Sequence, residues 1–271
     1  HVETLLSLGA ALIGLGRNIE AIKPLKAALL IRPGHPDTCF ALAESYRACG
    51  HIENALKIGQ LGLEGNPDYL QGHLAVVDAL LDMGRHDEAR PILEQILASH
   101  SDNMTVIGKM GAFYYHTGEF QEAEEKLTVA AEGLPEDPEV QWHLISLYLR
   151  ERRWIEGWPL YRWRWPMSKR NSPEALLKIP TWNGESLIGK KIIVWGEQGL
   201  GDELMFSTCL PDLIDKARPD LCVLACDPRL EQMFNRSFPK ILTIPIDRDK
   251  SQVDIFKIPV CEYQIACGDI P

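Results

Sequence analysis

No stretch of the sequence approaches 18 uncharged apolar residues, so no transmembrane helix is expected. The first residues, His1-Val2-Glu3-Thr4, offer neither a basic segment nor an apolar one, so no signal peptide is visible. An initiator Met is also missing, which is expected of a chain that has been cut or processed. Positive charge is scarce: 28 Lys and Arg stand against 38 Asp and Glu, a formal net of −10, which excludes a chain broadly built for nucleic acid or anionic lipid. The seven Cys are odd in number and irregular in spacing, so they read as reduced thiols of a cytoplasmic protein and not as a disulfide framework. No His follows His143, and Cys222 and Cys226 lack a second pair, so no metal site is expected.

What is present is unevenly placed. Residues 1–137 carry 10 basic and 20 acidic side chains, whereas residues 138–271 carry 18 of each. All seven Trp lie between Trp142 and Trp195. This asymmetry, in a chain of 271 residues, indicates two domains with a boundary between 140 and 190.

The first half repeats itself. Gly16, Gly50, Gly84 and Gly118 recur every 34 residues, and Ala21, Ala55, Ala89 and Ala123 recur with them. Pro33, Pro67 and Pro135 share another phase, with Ser101 in the missing position. Leu12, Tyr46, Leu80 and Tyr114 make a fourth register, and Leu8, Leu42, Val76 and Met110 a fifth. Such a unit predicts a helical hairpin. Its Gly suits the left-handed residue that ends a first helix, its Ala lets the second helix approach closely, and its Pro stops that second helix. The pattern resembles the tetratricopeptide repeat, with units at about 2–35, 36–69, 70–103 and 104–137. A degenerate fifth begins at 138, with Arg152 at the Gly position and Gly157 at the Ala position. The expected architecture of residues 1–150 is an α-helical solenoid whose first helices line a concave face. By repeat phase that face carries Asp37, Phe40, Glu44, Arg47, Gln71, Asp78, Asp82, Lys109, Tyr115, His116 and Trp142. Its acidic and aromatic character predicts a groove that docks a protein or peptide, against the plainer alternative of a solvated spacer.

Residues 151–189 form a Trp-rich connector. From Trp154 to Trp165 it reads WIEGWPLYRWRW, with Arg162 and Arg164 among the rings. Such a run could stack single-stranded bases. The reading preferred is packing, with Trp158, Trp163 and Trp165 buried at the junction of the two domains and Arg on their faces. Residues 166–190 predict an extended arm over a domain surface.

From residue 190 to 271, apolar runs at 192–195, 221–225 and 241–246 alternate with helix signals, which predicts a partial α/β domain with a parallel sheet of three or four strands. Between the first strand and its helix lies Gly196-Glu-Gln-Gly-Leu-Gly-Asp-Glu203. Acids opening that helix suit its dipole but would repel a pyrophosphate, so the loop presents a carboxylate, Asp202, which is either a general base or a helix cap.

The stretch PTWNGESLIGKKIIVWGEQGLGDELMFSTCLP, residues 180–211, resembles bacterial tetratricopeptide-repeat proteins whose C-terminal part is similar to heptosyltransferase-type (GT-B) glycosyltransferases. Gly201-Asp202 falls on the Gly-Asp of that family, and Leu210-Pro211 on its Leu-Pro. The resemblance implies the first, Rossmann-like half of an inverting glycosyltransferase that takes a nucleotide-sugar as co-substrate and needs no metal or other cofactor. In it Asp202 would act as the base, with Glu197, Gln198, Gly199 and Gly201 as substrate-binding neighbours. The nucleotide-sugar half has no counterpart before Pro271, so the chain is expected to stop partway through a larger enzyme. The implied partner is an acceptor protein on the repeats, a surface or flagellar protein; the alternative is a non-catalytic scaffold.

Overall fold

The computed structural model describes residues 1–168, 176–197, 199–247 and 258–270. It divides into two compact units, His1–Arg153 and Trp154–Pro271.

The first unit is helical throughout. Eight helices form four hairpins: α1 (Val2–Gly14) with α2 (Asn18–Ile31), α3 (Pro36–Ala48) with α4 (Ile52–Gly65), α5 (Leu70–Asp82) with α6 (His86–Ser99), and α7 (Met104–Thr117) with α8 (Phe120–Gly133). A ninth helix, α9 (Pro138–Arg150), opens the fifth repeat. The four register alanines are almost wholly buried, where their small side chains let paired helices close on each other. At residue 111 of α7 the approach is closer still: an added Cβ would lie 2.7 Å from Leu127 of α8. Asn103 and Asp137 cap α7 and α9 by accepting bonds from the second and third helical N–H groups. Successive first helices (α1, α3, α5, α7, α9) pack on one another, which makes them the inner layer of the stack.

Every first helix ends the same way. The register glycine takes a left-handed φ, between 69° and 85° across the four repeats. Its N–H returns to the carbonyl three residues back, and the next N–H to the carbonyl five residues back, as in Gly84 to Leu81 and Arg85 to Leu80. The fifth repeat keeps both bonds, Arg152 to Leu149 and Arg153 to Tyr148, but forces Arg152 to φ 60°. A side chain there costs about 1 kcal/mol relative to glycine. Two opposite outcomes follow for urea unfolding. Arg152→Gly should stabilise the solenoid by up to about 1 kcal/mol, and Gly84→Ala should destabilise it by about the same. Nothing stands within 4 Å of a Cβ at Gly84, so the cost there is backbone strain alone.

The second unit is built on four parallel strands: β1 (Lys191–Trp195), β2 (Leu221–Cys226), β3 (Leu242–Pro245) and β4 (Tyr263–Ala266), in the order β3-β2-β1-β4. Between β1 and β2 run α12 (Leu200–Ser207) and α13 (Leu210–Ala217), with Pro211 in the first turn of α13. Between β2 and β3 runs α14 (Glu231–Ser237). Successive strand residues point to opposite faces, and both faces are buried. Ile192, Val194, Cys222 and Leu224 pack with Phe206, Leu210, Leu213 and Phe234 of the helices. Ile193, Trp195, Val223 and Ala225 pack with Ile244, Ile246, Cys261 and the arm residues Leu177 and Ile179.

Part of the expected arm is extended along β4. Trp182 N–H donates to the Gln264 carbonyl at 2.8 Å, and Gln264 N–H to that of Pro180 at 3.0 Å. The Gln264 side chain also donates to the carbonyls of Leu177 and Ile179 and accepts from Trp195 Nε1. The outer edge of β4, otherwise a row of unpaired backbone groups, is thereby covered.

The aromatic connector is short helical turns: α10 (Trp154–Gly157), a 3₁₀ helix (Trp158–Trp163) and α11 (Arg164–Ser168). Trp158, Trp163 and Trp165 are half-buried, less than the enclosure expected of them, and Trp158 and Tyr161 pack on each other and on Phe206. Arg164 does lie over ring faces, 4.5 Å from Tyr161 and 4.6 Å from Trp165.

Candidate functional site

Two sets of functional side chains were expected, and each takes shape within its own unit. On the solenoid, four of the eleven predicted groove residues join one ladder of ion pairs across successive first helices. Arg47 of α3 donates to Asp82 at 2.6 Å and to Asp78 at 3.3 Å, both on α5. Asp78 also accepts from Lys109 of α7 at 2.6 Å, and Lys109 reaches Glu139 of α9 at 2.7 Å. Asp37 accepts from the Tyr69 hydroxyl at 2.6 Å, and Phe40 packs against the core. Glu44, Gln71 and His116 are exposed, while Tyr115 and Trp142 are half-buried.

The ladder has a plain electrostatic result. Both cations are spent on carboxylates, which outnumber them, so the face keeps a negative balance and no free cation among the ladder residues. Lys109 is almost fully enclosed, and burial opposes its charge; the Asp78 and Glu139 carboxylates outweigh that and raise its pKa. Glu139 is likewise opposed by burial but held below the usual carboxylate range by Lys109 and Arg47.

Glu139 and His143 were missed as groove residues, yet the repeat phase held both. Glu139 stands in the register of Asp37 and Gln71, and His143 in that of Lys109. His143 Nδ1 donates to the Glu139 carbonyl at 2.8 Å, and its ring meets Tyr115 and His116 edge-on at 5.6 and 5.5 Å. Burial lowers the pKa of His143; partial enclosure of the His116 ring, with His86 beside it, lowers that of His116. A histidine whose pKa is lower folded than unfolded binds its proton more readily once unfolded, so stability falls as pH drops through its unfolded value of about 6.5. The solenoid should therefore lose urea resistance between about pH 7 and pH 5, and His143→Gln should flatten that slope. An unchanged slope would remove His143 from this account. Glu139 adds a second loss only near and below its ordinary pKa of 4.5.

The second set lies at the carboxyl ends of β1 and β4. In the order β3-β2-β1-β4 the chain reverses direction across the sheet between these two strands, which is where open α/β sheets form their ligand crevice. Here that place holds protein. Glu197, expected to touch substrate, is only 1% exposed and turned inward. It accepts from Arg164 at 2.6 and 2.9 Å and from the Gly268 N–H after β4. Arg164, also 1% exposed, donates further to Asp269 at 2.6 Å and to the Tyr161 carbonyl. Gly268 makes the arrangement possible, since a Cβ there would sit 2.6 Å from the Glu197 oxygen. Glu203 is a second buried acid and accepts from Asp227 N–H at 3.0 Å.

Asp202 is placed differently. It lies in the first turn of α12, half-exposed, and its carboxylate makes no hydrogen bond among the described residues, so it is not a helix cap. Gly199 is the residue before that helix, Gly201 is exposed in its first turn, and Gln198 lies outside the described residues. Arg164 and Asp269 could not be paired with Glu197 from sequence, being 33 positions before it and 72 after it.

All seven cysteines are free. Burial pushes the Cys222 and Cys226 thiols up to about 12 and Cys39 up to about 11, so they are inert packing groups. Among the described residues no three His, Cys, Asp or Glu side chains converge as metal ligands, and no helix is long and apolar enough to cross a membrane.

Comparison with known proteins bears on the repeats first. Residues 80–148 match the tetratricopeptide repeat family. The crystal structure of TTC0263, a thermophilic TPR protein of Thermus thermophilus, superposes with a TM-score of 0.56 at 24% identity, over 65% of this chain and 94% of that one. Protein FlbA of Caulobacter vibrioides is 28% identical over 242 residues, 89% of this chain and 35% of FlbA. The TPR repeat-containing protein YpiA of Bacillus subtilis is 23% identical over 57% of this chain and 37% of YpiA. The chain thus spans little more than a third of the length of these curated relatives. The match to FlbA is too long to be confined to the repeats and reaches into the α/β unit. In fold the chain is a tetratricopeptide-repeat solenoid followed by a small α/β unit on a four-stranded parallel sheet.

Proposed function

We propose that the solenoid docks a protein and that the α/β unit is the acceptor half of an inverting glycosyltransferase. The observation that carries this reading is Asp202: a half-exposed carboxylate without a hydrogen bond among the described residues, one turn into the helix that follows β1. A general base needs that freedom, whereas a structural acid is bonded, as Glu197 and Glu203 are. In the proposed step Asp202 takes the proton of an acceptor hydroxyl. The oxygen then bonds to the anomeric carbon of a nucleotide-sugar, the bond from that carbon to the diphosphate breaks, and a nucleoside diphosphate leaves with inversion. The donor would be held by chain outside these residues. The negative face of the solenoid suits an acceptor protein with basic side chains around its modified segment, a surface or flagellar protein in this reading. The free thiols support a cytoplasmic setting.

A scaffold without catalysis is favoured by one observation, the Arg164–Glu197 pair that fills the place between β1 and β4. One experiment separates the readings. The longer protein is assayed for sugar transfer to purified acceptor and for nucleotide-sugar hydrolysis, with and without residues 1–137. Loss of transfer with hydrolysis retained is expected on removing the repeats. Acceptor binding without transfer or hydrolysis in the intact protein would leave the scaffold.

A further inference from the structure

A groove of about 500 Å³ opens on the second unit beside the end of β4. Its walls combine three indoles with the aliphatic Ile155, Pro159, Ile265 and Ile270. Trp154 and Trp158 lie nearly parallel, 19° apart with ring centroids at 6.4 Å, and Trp154 is 48% exposed. Trp182 also lines the groove, fixed by a 2.7 Å bond from its Nε1 to the Glu185 carbonyl. Such a volume is within the range of small-molecule sites, and a held ring such as Trp182 loses little entropy on binding.

Two polar groups face this space. Asp269 uses Oδ1 for Arg164, and its Oδ2 bonds to none of the described residues. The exposed Asn183 carboxamide is likewise uncommitted among them, its backbone N–H alone being held by Glu185. Among the described residues no Lys or Arg lines the groove.

We propose that this groove binds a neutral saccharide. The negative face of an indole attracts the polarised C–H groups on the flat face of a pyranose ring. A free carboxylate oxygen accepts only, so it calls for a ligand rich in donors, and the carboxamide both donates and accepts. Hydroxyls around a sugar meet both needs. A proline-rich peptide would also stack on Trp, but it carries few N–H donors for Asp269. A lining without a cation among the described residues favours a neutral glycan over a phosphate such as a nucleotide-sugar. This assignment does not rest on the transferase reading, because binding needs neither donor nor Asp202.

The test is calorimetric titration of the whole chain, with tryptophan emission in parallel. Probes are chitotriose, maltotriose, lactose and methyl mannoside, set beside a proline-rich decapeptide and a nucleotide-sugar. At least one neutral sugar should bind with a Kd of about 1 mM or better. Trp154→Ala should weaken it by about tenfold or more, Trp154→Tyr should keep most of the affinity, and Asn183→Ala should weaken it severalfold. Trp154 and Asn183 are exposed, so circular dichroism should not change. The proposal is overturned if no neutral sugar binds at about 20 mM, if Trp154→Ala binds as the parent does, or if the peptide or the nucleotide-sugar binds instead.

Discussion

On the proposed transferase reading, replacing Asp202 by Asn should lower sugar transfer by a factor of about 10²–10⁴. The amide has nearly the shape of the acid but cannot take a proton from the acceptor hydroxyl at neutral pH. The fold should not notice, because the Asp202 carboxylate bonds to none of the described residues, and the lost charge at the start of α12 costs at most about 1 kcal/mol. The effect should fall on kcat, with the KM for acceptor protein nearly unchanged, since the proposal puts docking on the repeats. Asp202→Glu should recover part of the rate, as the base returns at a shifted position. Near-parental transfer by the Asn variant would strike out the base assignment, whatever became of the transferase reading.

Glu197→Ala should destabilise the second unit by about 3–5 kcal/mol. Glu197 and Arg164 are each 1% exposed, and the pair is bonded at 2.6 and 2.9 Å. Losing the carboxylate strands a guanidinium in a dry interior with Asp269 as its remaining anion, and leaves the Gly268 N–H without its acceptor. A double variant, Arg164→Met with Glu197→Leu, should recover much of the loss, because it buries no unpaired charge. The measurement is urea unfolding followed by tryptophan emission, to which the second unit contributes six of the seven Trp. A loss below about 1 kcal/mol in the single variant would mean that water reaches the pair.

The solenoid was legible because a repeat states its physics many times over. Gly16, Gly50, Gly84 and Gly118 mark the left-handed helix ends, and the buried alanines that follow mark the close helix pairs. Each is a local demand, met within a few residues of itself, so spacing alone exposes it. The same phase placed Arg47, Asp78, Asp82 and Lys109 on one face, although only the stacked helices decided that these charges neutralise one another instead of waiting for a ligand. Strands β1 and β2, and the break before α13, could likewise be read from apolar runs and Pro211.

The α/β unit was less legible where its contacts join distant residues. Glu197 stood beside Asp202 in a glycine-rich loop and carried the same chemistry on paper. Its burial depends on Arg164 from the aromatic connector and on Gly268 and Asp269 beyond β4, and these meet only because the sheet order is β3-β2-β1-β4. No local pattern encodes that order. The sequence by itself determined the helical period, the parallel-strand runs and the acid at the head of α12, since each follows from residue spacing and backbone preference. Which acid stays free and which is locked inward was decided by tertiary structure, because the cost of a buried charge depends on the partners that long-range packing brings to it.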